Sequence, residues 1–362
     1  MKTIFTLLLL LFCMISVAQD KIFIHTATAE NTNIRPWVTI LDHPDLNGNP
    51  NANVVFVHNL NGGGGVKYND NVDGLWYDGT NWTIYNEDSS KVMVLGAQFN
   101  VYIISDPANA ITHVATAANT SGHMTTIDNP LLNGTTLPFM AMSHYYNPTN
   151  TYNKGNFGQF YSSDRRKLFD EGFTPIPEGA AFKILVKGGS GTSRISHKST
   201  AANTSFNYTI IDNPELNGKP NATFVMSHYW GYGGASTQVY LDATLGVWYN
   251  GTNWTIYTED QSNFPENVVI DMIIAPKEVL GVNDNELVSV TMYPNPANNE
   301  VNFTAPDNIE NVTLYNMMGQ KVLSLNDNST NVQMDVSSLA IGAYLAKIKT
   351  GNGQQTLQLI KK

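Results

Sequence analysis

Short runs of β-branched and aromatic residues, separated by turns rich in Asn, Gly, Pro and Asp, fill the chain from about residue 20 onward. This region shows no sustained apolar period of about 3.6 residues, which an amphipathic helix would require. Runs of this length and composition are typical of β-strands. Strands predicted in the first part of the chain are Trp37–Leu41, Val54–His58, Trp82–Tyr85 and Phe99–Ile104. The predicted fold class is therefore all-β.

The same pattern of strands and turns occurs three times along the chain. An opening block, His-x-x-Thr-Ala-x-Asn-Thr, begins at His25, His113 and His197. A second block, Asp-(His/Asn)-Pro-x-Leu-Asn-Gly, begins at Asp42, Asp128 and Asp212. Repetition at a nearly fixed period indicates one structural unit used three times. We predict three tandem homologous β modules of about 80–88 residues, over residues 20–108, 109–192 and 193–276.

Two kinds of turn recur within these modules. In the second block, proline fixes its own φ and the Asn-Gly pair tolerates positive φ, so the chain reverses sharply. The leucine of that block (Leu46, Leu132, Leu216) is expected to anchor the turn in the core. The segments Tyr77–Trp82 and Tyr249–Trp254 contain Asp-Gly and Asn-Gly, which predict β-hairpins.

A domain with a different pattern follows the third module. Residues 277–286 are a polar stretch that we interpret as a linker, and residues 287–362 alternate apolar and polar positions, which predicts a small antiparallel β-sandwich. Its motifs, in order, are Tyr293-Pro-Asn-Pro296, Gly319-Gln-Lys-Val322, Leu339 with Gly342-x-Tyr344, and the terminal Lys361-Lys362. Together they resemble the C-terminal sorting domain of the type IX secretion system of Bacteroidetes. The resemblance implies recognition by the type IX secretion machinery and passage across the outer membrane.

The first eighteen residues have the composition of a secretory signal peptide. Lys2 is followed by the apolar run Ile4–Val17 and by Ala18, a small residue suited to cleavage. The single cysteine of the chain, Cys13, lies inside this leader, so no disulfide or zinc–thiolate site is expected in the mature protein. No transmembrane segment is expected after signal cleavage, and the expected location is extracellular or on the outer-membrane surface.

Composition narrows the class of partner. The formal net charge is −10 and only 14% of residues are charged. Nucleic acids and anionic membranes attract basic surfaces, so neither is an expected partner. An extracellular glycan is compatible with a surface of amides, hydroxyls and aromatic rings.

The histidines and two aspartates are the candidate metal ligands. Six of the eight histidines fall at two repeated positions, His25, His113 and His197, and His58, His144 and His228. Two imidazoles and a carboxylate per module would suit zinc or acid–base chemistry, whereas the alternative is a structural hydrogen-bonding role. Asp70 and Asp242 lie in segments that partly match a calcium loop, although Thr80 stands where glutamate is expected. No motif requires a cofactor, so Ca²⁺ and Zn²⁺ are only alternatives.

Aromatic residues around the two hairpins are the candidate ligand-binding residues. They are Trp76, Tyr77 and Trp82 in the first module and Trp248, Tyr249 and Trp254 in the third. Exposed rings beside Asn and Asp are suited to stacking on sugars, and the alternative is core packing. The middle module has Arg165-Arg166-Lys167 near this position, which predicts a solvated hairpin without the ligand-binding residues.

These patterns predict a non-catalytic binding or adhesion protein for an extracellular glycan. One alternative is a secreted polysaccharide-degrading enzyme that uses the repeated His and Asp residues. Another is a purely structural surface protein. The chain contains no Gly-x-Ser-x-Gly motif, so the sequence offers no nucleophilic serine of that type.

Overall fold

The computed structural model describes residues 20–60, 67–136, 140–189, 191–275, 290–316, 320–350 and 353–362. The signal peptide and the linker predicted above lie outside the described residues, as does Gly319. The chain forms two compact units, Met1–Lys277 and Glu278–Lys362. We describe each unit by itself.

The first unit contains twenty described strands, shared among the three repeats. Those of repeat 1 are β1 (Lys21–Thr26), β2 (Val38–Leu41), β3 (Asn53–Asn59), β4 (Asp73–Tyr77), β5 (Trp82–Asn86) and β6 (Gln98–Ile104). Those of repeat 2 are β7 (Ala110–Val114), β8 (Thr120–Ser121), β9 (Met124–Ile127), β10 (Ala141–Tyr145), β11 (Phe157–Ser162), β12 (Arg165–Asp170) and β13 (Ala181–Leu185). Those of repeat 3 are β14 (Ser193–Lys198), β15 (Thr204–Ser205), β16 (Tyr208–Ile210), β17 (Phe224–Tyr229), β18 (Leu245–Tyr249), β19 (Trp254–Thr258) and β20 (Val269–Ile274).

The all-β class and the repetition are thus confirmed. Short 3₁₀ turns at Pro107–Asn109 and Ala235–Thr237 are the helical segments among the described residues. None of the described helical segments has the length and apolar character needed to cross a membrane. The opening block of each repeat begins on a strand (β1, β7, β14) that the strand prediction missed, because Thr, Ser, Lys and Arg residues interrupt its apolar pattern.

Each sheet of this unit is built from two repeats. The strand orders are β1-β6-β3-β18-β19-β16-β15, β2-β5-β4-β10-β13-β7, and β14-β20-β17-β11-β12-β9-β8. Repeat 1 therefore shares one sheet with repeat 3 and another with repeat 2, and repeats 2 and 3 share the remaining sheet. The repeats close into a ring, in which β3, β10 and β17 contact one another around a central axis.

Three parallel strand pairs, which we call joints, hold the ring together. The first joint pairs β4 with β10, the second pairs β11 with β17, and the third pairs β18 with β3. All other strand pairs in these sheets are antiparallel. At every joint a strand-end histidine faces a glycine, and the pairs are His144 with Gly74, His228 with Gly158, and His58 with Gly246.

The joint glycines are required by close packing. A Cβ at Gly74 would lie 2.6 Å from the hydroxyl of Tyr85, and one at Gly246 would lie 2.3 Å from that of Tyr257. A Cβ at Gly158 would lie 2.5 Å from Cζ of Phe169. An aromatic side chain of the adjacent antiparallel strand thus covers the backbone of each joint strand, which leaves no room for a side chain there.

Each repeat has its own core beneath the Pro-x-Leu-Asn-Gly turn. Leu46, Leu132 and Leu216 are fully buried, as their repetition predicted. Trp82 and Trp254 are buried beside the turns, and their indole N–H groups donate to the carbonyl oxygens of Asn49 and Lys219 at 2.8 Å.

In repeat 2 the position of Trp82 and Trp254 is occupied by Arg166. Its guanidinium donates to the carbonyl of Thr136 at 2.8 Å and lies 4.2 Å from the ring centroid of Tyr229. Arg166 is 0% exposed, so the prediction of a solvated hairpin is wrong at this residue. The planar guanidinium replaces the indole because it also combines a flat stacking face with N–H donors.

The second unit is a five-stranded antiparallel sheet. Its strands are β21 (Thr291–Tyr293), β22 (Glu300–Asn316), β23 (Lys321–Asp335), β24 (Gly342–Thr350) and β25 (Gly353–Lys361). The long strand β22 pairs with β21, β23 and β24, and β25 pairs with β24. An isolated bridge joins Ala297, which follows the first strand, to Lys361 of the last strand. The two outer parts of the sheet therefore meet at this bridge. Its core includes Val301, Phe303, Val312, Leu314 and Ile348.

Candidate functional site at the joints between repeats

A buried histidine–glutamate pair links neighbouring repeats at each joint. His144 Nδ1 lies 3.1 Å from Glu87 Oε1 and His58 Nδ1 lies 2.9 Å from Glu259 Oε1. His228 Nδ1 forms the equivalent short contact with Glu171 Oε1. In every pair the histidine belongs to one repeat and the glutamate to another. Repeat 2 supplies the histidine that meets the glutamate of repeat 1, repeat 1 supplies the one that meets repeat 3, and repeat 3 supplies the one that meets repeat 2. The three pairs therefore follow the ring in one direction.

The glutamates accept further hydrogen bonds at the joints. Their second carboxylate oxygens accept backbone N–H groups, from Asn153 to Glu87, from Leu241 to Glu171 and from Asn69 to Glu259. Tyr85 and Tyr257 also donate their hydroxyl groups to Glu87 and Glu259, at 2.8 and 2.6 Å. Phe169 at the second joint has no hydroxyl group. Hydrogen bonds of this kind are needed to keep a buried carboxylate stable.

The third joint carries an additional carboxylate. His58 Nε2 lies 3.0 Å from Asp73 Oδ2, so both ring nitrogens face carboxylates. Burial alone lowers the pKa of His58, but hydrogen bonds and charges from Asp73 and Glu259 outweigh it and raise the pKa to about 10. Burial raises the pKa of Asp73 to about 6, against the opposing influence of His58. His58 is therefore an imidazolium held between two carboxylates at neutral pH.

The histidines that open the repeats lie in a different environment. Nε2 of His25, His113 and His197 lies 2.7–2.8 Å from Oγ1 of Thr39, Thr125 and Thr209. Each threonine hydroxyl in turn donates to the asparagine of the opening block, namely Asn31, Asn119 or Asn203. Burial lowers the pKa of all three histidines to about 4, so they are neutral.

The repeated aspartates and the candidate calcium residues are separate from these histidines. Asp42, Asp128 and Asp212 accept from Asn47, Asn133 and Asn217 of the same turn at 2.7–2.8 Å. Asp70 and Asp242 are exposed, and Asp242 accepts from Asn156. In the described part of the chain, no group of three or more His, Cys, Asp or Glu side chains is arranged to hold a metal ion.

The six candidate aromatic residues divide into two groups. Trp82 and Trp254 are core residues, with exposures of 0% and 1%, so their ring faces are not available to a ligand. Trp76, Tyr77, Trp248 and Tyr249 are half-buried. Tyr77 and Tyr249 pack against the core tryptophans with ring centroids 5.7 Å apart. Trp76 and Trp248 lie on the other face of their strands.

Trp76 belongs to an aromatic cluster that crosses the first joint. Its ring lies edge-on to Tyr146 of repeat 2 at 6.4 Å, and Tyr146 packs against Tyr152 at 4.9 Å. Arg35 lies over Trp76, with its guanidinium carbon 5.2 Å from the ring centroid. Tyr152 is 38% exposed, so the cluster reaches the surface.

A homologous cluster occurs at the second joint. There, Phe160, Trp230, Tyr240 and Phe173 form a continuous row with centroid distances of 4.6–5.9 Å. The third joint has two separate pairs instead: Tyr68 packs against Tyr257 at 5.7 Å, and Trp248 lies edge-on to Tyr208 of its own repeat at 6.1 Å. The middle repeat therefore contributes to an aromatic surface as well. Sequence comparison missed this because each cluster combines residues from two repeats, although the repeated Tyr68, Tyr152 and Tyr240 were a usable signal.

Comparisons with known proteins agree with this architecture. A family model described as "Domain of unknown function (DUF7452)" matches residues 11–103, 89–186 and 158–274. A second model, described as "Secretion system C-terminal sorting domain", matches residues 291–362. The second match confirms the resemblance seen in the sequence and shows that the protein is exported to the cell surface or extracellular space by the secretion machinery. No curated protein matches the chain.

Solved structures give only distant likenesses. PorZ, described as an essential bacterial surface component of the type IX secretion system of Porphyromonas gingivalis, is 16% identical, with a TM-score of 0.19. The match covers 43% of this chain and 23% of the PorZ chain, less than a quarter of its length. The BSP domain of a biofilm-associated protein is 7% identical over 95% of this chain and 81% of that chain, with a TM-score of 0.19. These scores carry no argument about function.

Proposed function

We propose, for a chain that belongs to the DUF7452 domain family and ends in a secretion sorting domain, that the ring is a non-catalytic module that binds extracellular glycan. The observation that supports this proposal is the half-exposed aromatic cluster at homologous positions of the first two joints, with aromatic pairs at the third. Aromatic rings stack on the apolar faces of sugars, and neighbouring amides bind their hydroxyl groups. Asn147 lies beside the first cluster, where its side chain accepts from the backbone N–H of Tyr77 at 3.0 Å.

Several aromatic surfaces on one ring favour a repetitive ligand. A polymer that engages more than one cluster gains effective concentration for each further contact. The low surface charge is compatible with a neutral polysaccharide. The repeated histidines, by contrast, are buried and bonded to Thr or Glu, so the polysaccharide-degrading alternative lacks an accessible histidine at these positions.

The test is binding of the purified full chain to a glycan array. We expect the double variant Tyr152→Ala/Tyr240→Ala to bind any identified glycan about tenfold more weakly, whereas Tyr152→Phe/Tyr240→Phe retains binding because the stacking faces remain. Phe206→Ala is the matched control, because Phe206 is an exposed aromatic residue outside these clusters and pairs. Failure to bind every glycan on the array, or equal loss in the control, would contradict the proposal.

A further inference from the structure

Two neighbouring cavities lie on the axis of the ring. The inner cavity, which we call the chamber, has a volume of about 130 Å³ and is lined by His58, Asp73, His144, Ser227 and His228, among others. The outer cavity, the mouth, has a volume of about 220 Å³ and is lined by Asp70, Asp88, Asp242 and Asp260 together with Lys91 and Lys154. Val72, Asn156 and Thr244, at homologous positions of the three repeats, line both cavities. These three residues therefore lie at the boundary between the mouth and the chamber.

The three joints around the chamber hold more carboxylates than imidazoles. Four buried carboxylates, Glu87, Glu171, Glu259 and Asp73, face three imidazoles at the joints. Even with every imidazole protonated, one carboxylate has no compensating charge among these groups. Asp73 is the additional one, because Phe157 and Leu245 occupy its position in the other repeats. An uncompensated buried charge is costly, so a cation at this place would stabilise the fold.

Two polar atoms of residues that line the chamber have no hydrogen-bond partner within the described chain. They are Oδ1 of Asp73 and Nε2 of His228, and the two residues are 6% and 3% exposed. Carboxylate oxygen is an acceptor. Nδ1 of His228 faces the Glu171 carboxylate, so its Nε2 is left for a partner inside the chamber. Asp73 Oδ1 requires a ligand that donates a hydrogen bond.

The remaining walls of the chamber restrict the size and hydration of the ligand. Phe56, Met142, Phe157, Met226 and Leu241 supply most of the apolar surface. Aromatic faces attract a desolvated cation, whereas the metal-ligand geometry discussed above is absent from the described residues. A volume of about 130 Å³ accommodates a few non-hydrogen atoms. We infer that the chamber binds a small primary ammonium ion, which enters through the acidic mouth and donates a hydrogen bond to Asp73.

The test compares methylammonium with tetramethylammonium, which has the same charge but no N–H donor. Isothermal titration of the full chain at constant ionic strength should show one saturable methylammonium site, with a matching rise in the thermal unfolding midpoint. Tetramethylammonium and sodium should give neither effect. Asp73→Asn should weaken methylammonium binding at least about tenfold, because it removes a charge-assisted hydrogen bond. Asp45→Asn removes an exposed carboxylate and is the matched control.

A second variant keeps the test decisive if Asp73→Asn fails to fold. Val72→Phe adds bulk at a residue that lines both cavities and leaves the Asp73 carboxylate in the chain, so it should slow or abolish methylammonium binding. Equal effects of the two ammonium ions, or full binding by Asp73→Asn, would overturn the inference. Absence of any saturable methylammonium binding by the unaltered chain would overturn it as well.

Discussion

The histidines that open the repeats and those that end the joint strands are both repeated three times, yet their surroundings are opposite. His25, His113 and His197 bond to a threonine of their own repeat and are neutral, with pKa values of about 4 because of burial. The joint histidines bond to a glutamate of another repeat, and His58 is charged. Repetition of a residue therefore has two separate causes in this chain. One position organises the module, and the other joins modules into a ring.

The difference also explains where polar groups are buried. Within a repeat, a neutral His–Thr–Asn chain satisfies its donors and acceptors without a net charge. Between repeats, histidine–glutamate pairs lie at the parallel strand pairs, where each joint contains a single short ladder and needs further links. Buried ionic pairs confer specificity of register in some proteins, and here the pairs coincide with the three positions where register between repeats is set.

The largest effect is expected from breaking one joint. Glu87→Ala leaves His144, Tyr85 and the N–H of Asn153 without their acceptor, so unfolding free energy should fall by about 3–5 kcal/mol. Asp88→Ala is the control, because Asp88 joins the same two repeats through an exposed ion pair with Lys154, at 3.3 Å, and should change stability little. Urea unfolding followed by tryptophan fluorescence reports on the ring, since all six tryptophans precede residue 276. Similar losses of stability in Glu87→Ala and Asp88→Ala would contradict the distinction between buried and exposed links at the joint.

A pH series tests the neutral histidines. The pKa of His113 is about 4 when folded, below the ordinary value of 6.5. Between these values the unfolded chain binds a proton that the folded chain does not, so stability falls as the pH falls. His113→Gln removes this dependence. The unfolding free energy of His113→Gln minus that of the unaltered chain should therefore increase by about 3 kcal/mol when the pH is lowered from 7 to 4.

Unfolding midpoints in urea across that pH range give the comparison, and other titrating groups largely cancel between the two proteins. His197→Gln should behave in the same way, because His197 has the same threonine partner and the same lowered pKa. Parallel pH profiles for the variants and the unaltered chain would show that these histidines do not remain neutral in the fold.

The smallest effect concerns the tyrosine hydroxyls at the joints. Tyr257 donates to Glu259 at 2.6 Å, whereas Phe169 stands at the homologous position of the second joint. Tyr257→Phe should lower the unfolding free energy by about 1.5–3 kcal/mol, which is typical of hydrogen bonds to charged groups. The reciprocal change, Phe169→Tyr, should raise stability by supplying Glu171 with a donor. A gain of stability in Tyr257→Phe, or a loss in Phe169→Tyr, in the same urea assay would contradict this account of the joints.

Much of the fold was predictable from local pattern. The strands around Val54–His58, Phe99–Ile104 and Phe224–His228, both Asx-Gly hairpins and the buried turn leucines follow from alternation and turn chemistry. These features depend on residues close together in the chain, and most of them recur from one repeat to the next. The weakly alternating opening strands were missed because half of their outward residues are threonine, serine or lysine.

The candidate site was less predictable. Trp82 and Trp254 resembled surface ligands in sequence, and Arg166 resembled a solvated residue, yet all three occupy the same buried place under a turn. Burial depends on which side chains pack on a residue. Tyr145 packs on Trp82 and Tyr229 packs on Arg166, and each tyrosine belongs to the neighbouring repeat. The surface clusters were hidden for the same reason, because Trp76 meets Tyr146 only after the repeats join.

The sequence by itself determined the repeated β module, its turns and the exported class of the protein, because these depend on short-range pattern and on terminal signals. The tertiary structure decided that the modules share sheets, that His58 is charged whereas the opening histidines are neutral, and that Asp73 faces a chamber on the central axis. Those properties arise from side chains far apart in the chain. Their pKa values and exposure follow from the partners that the closed ring brings to them.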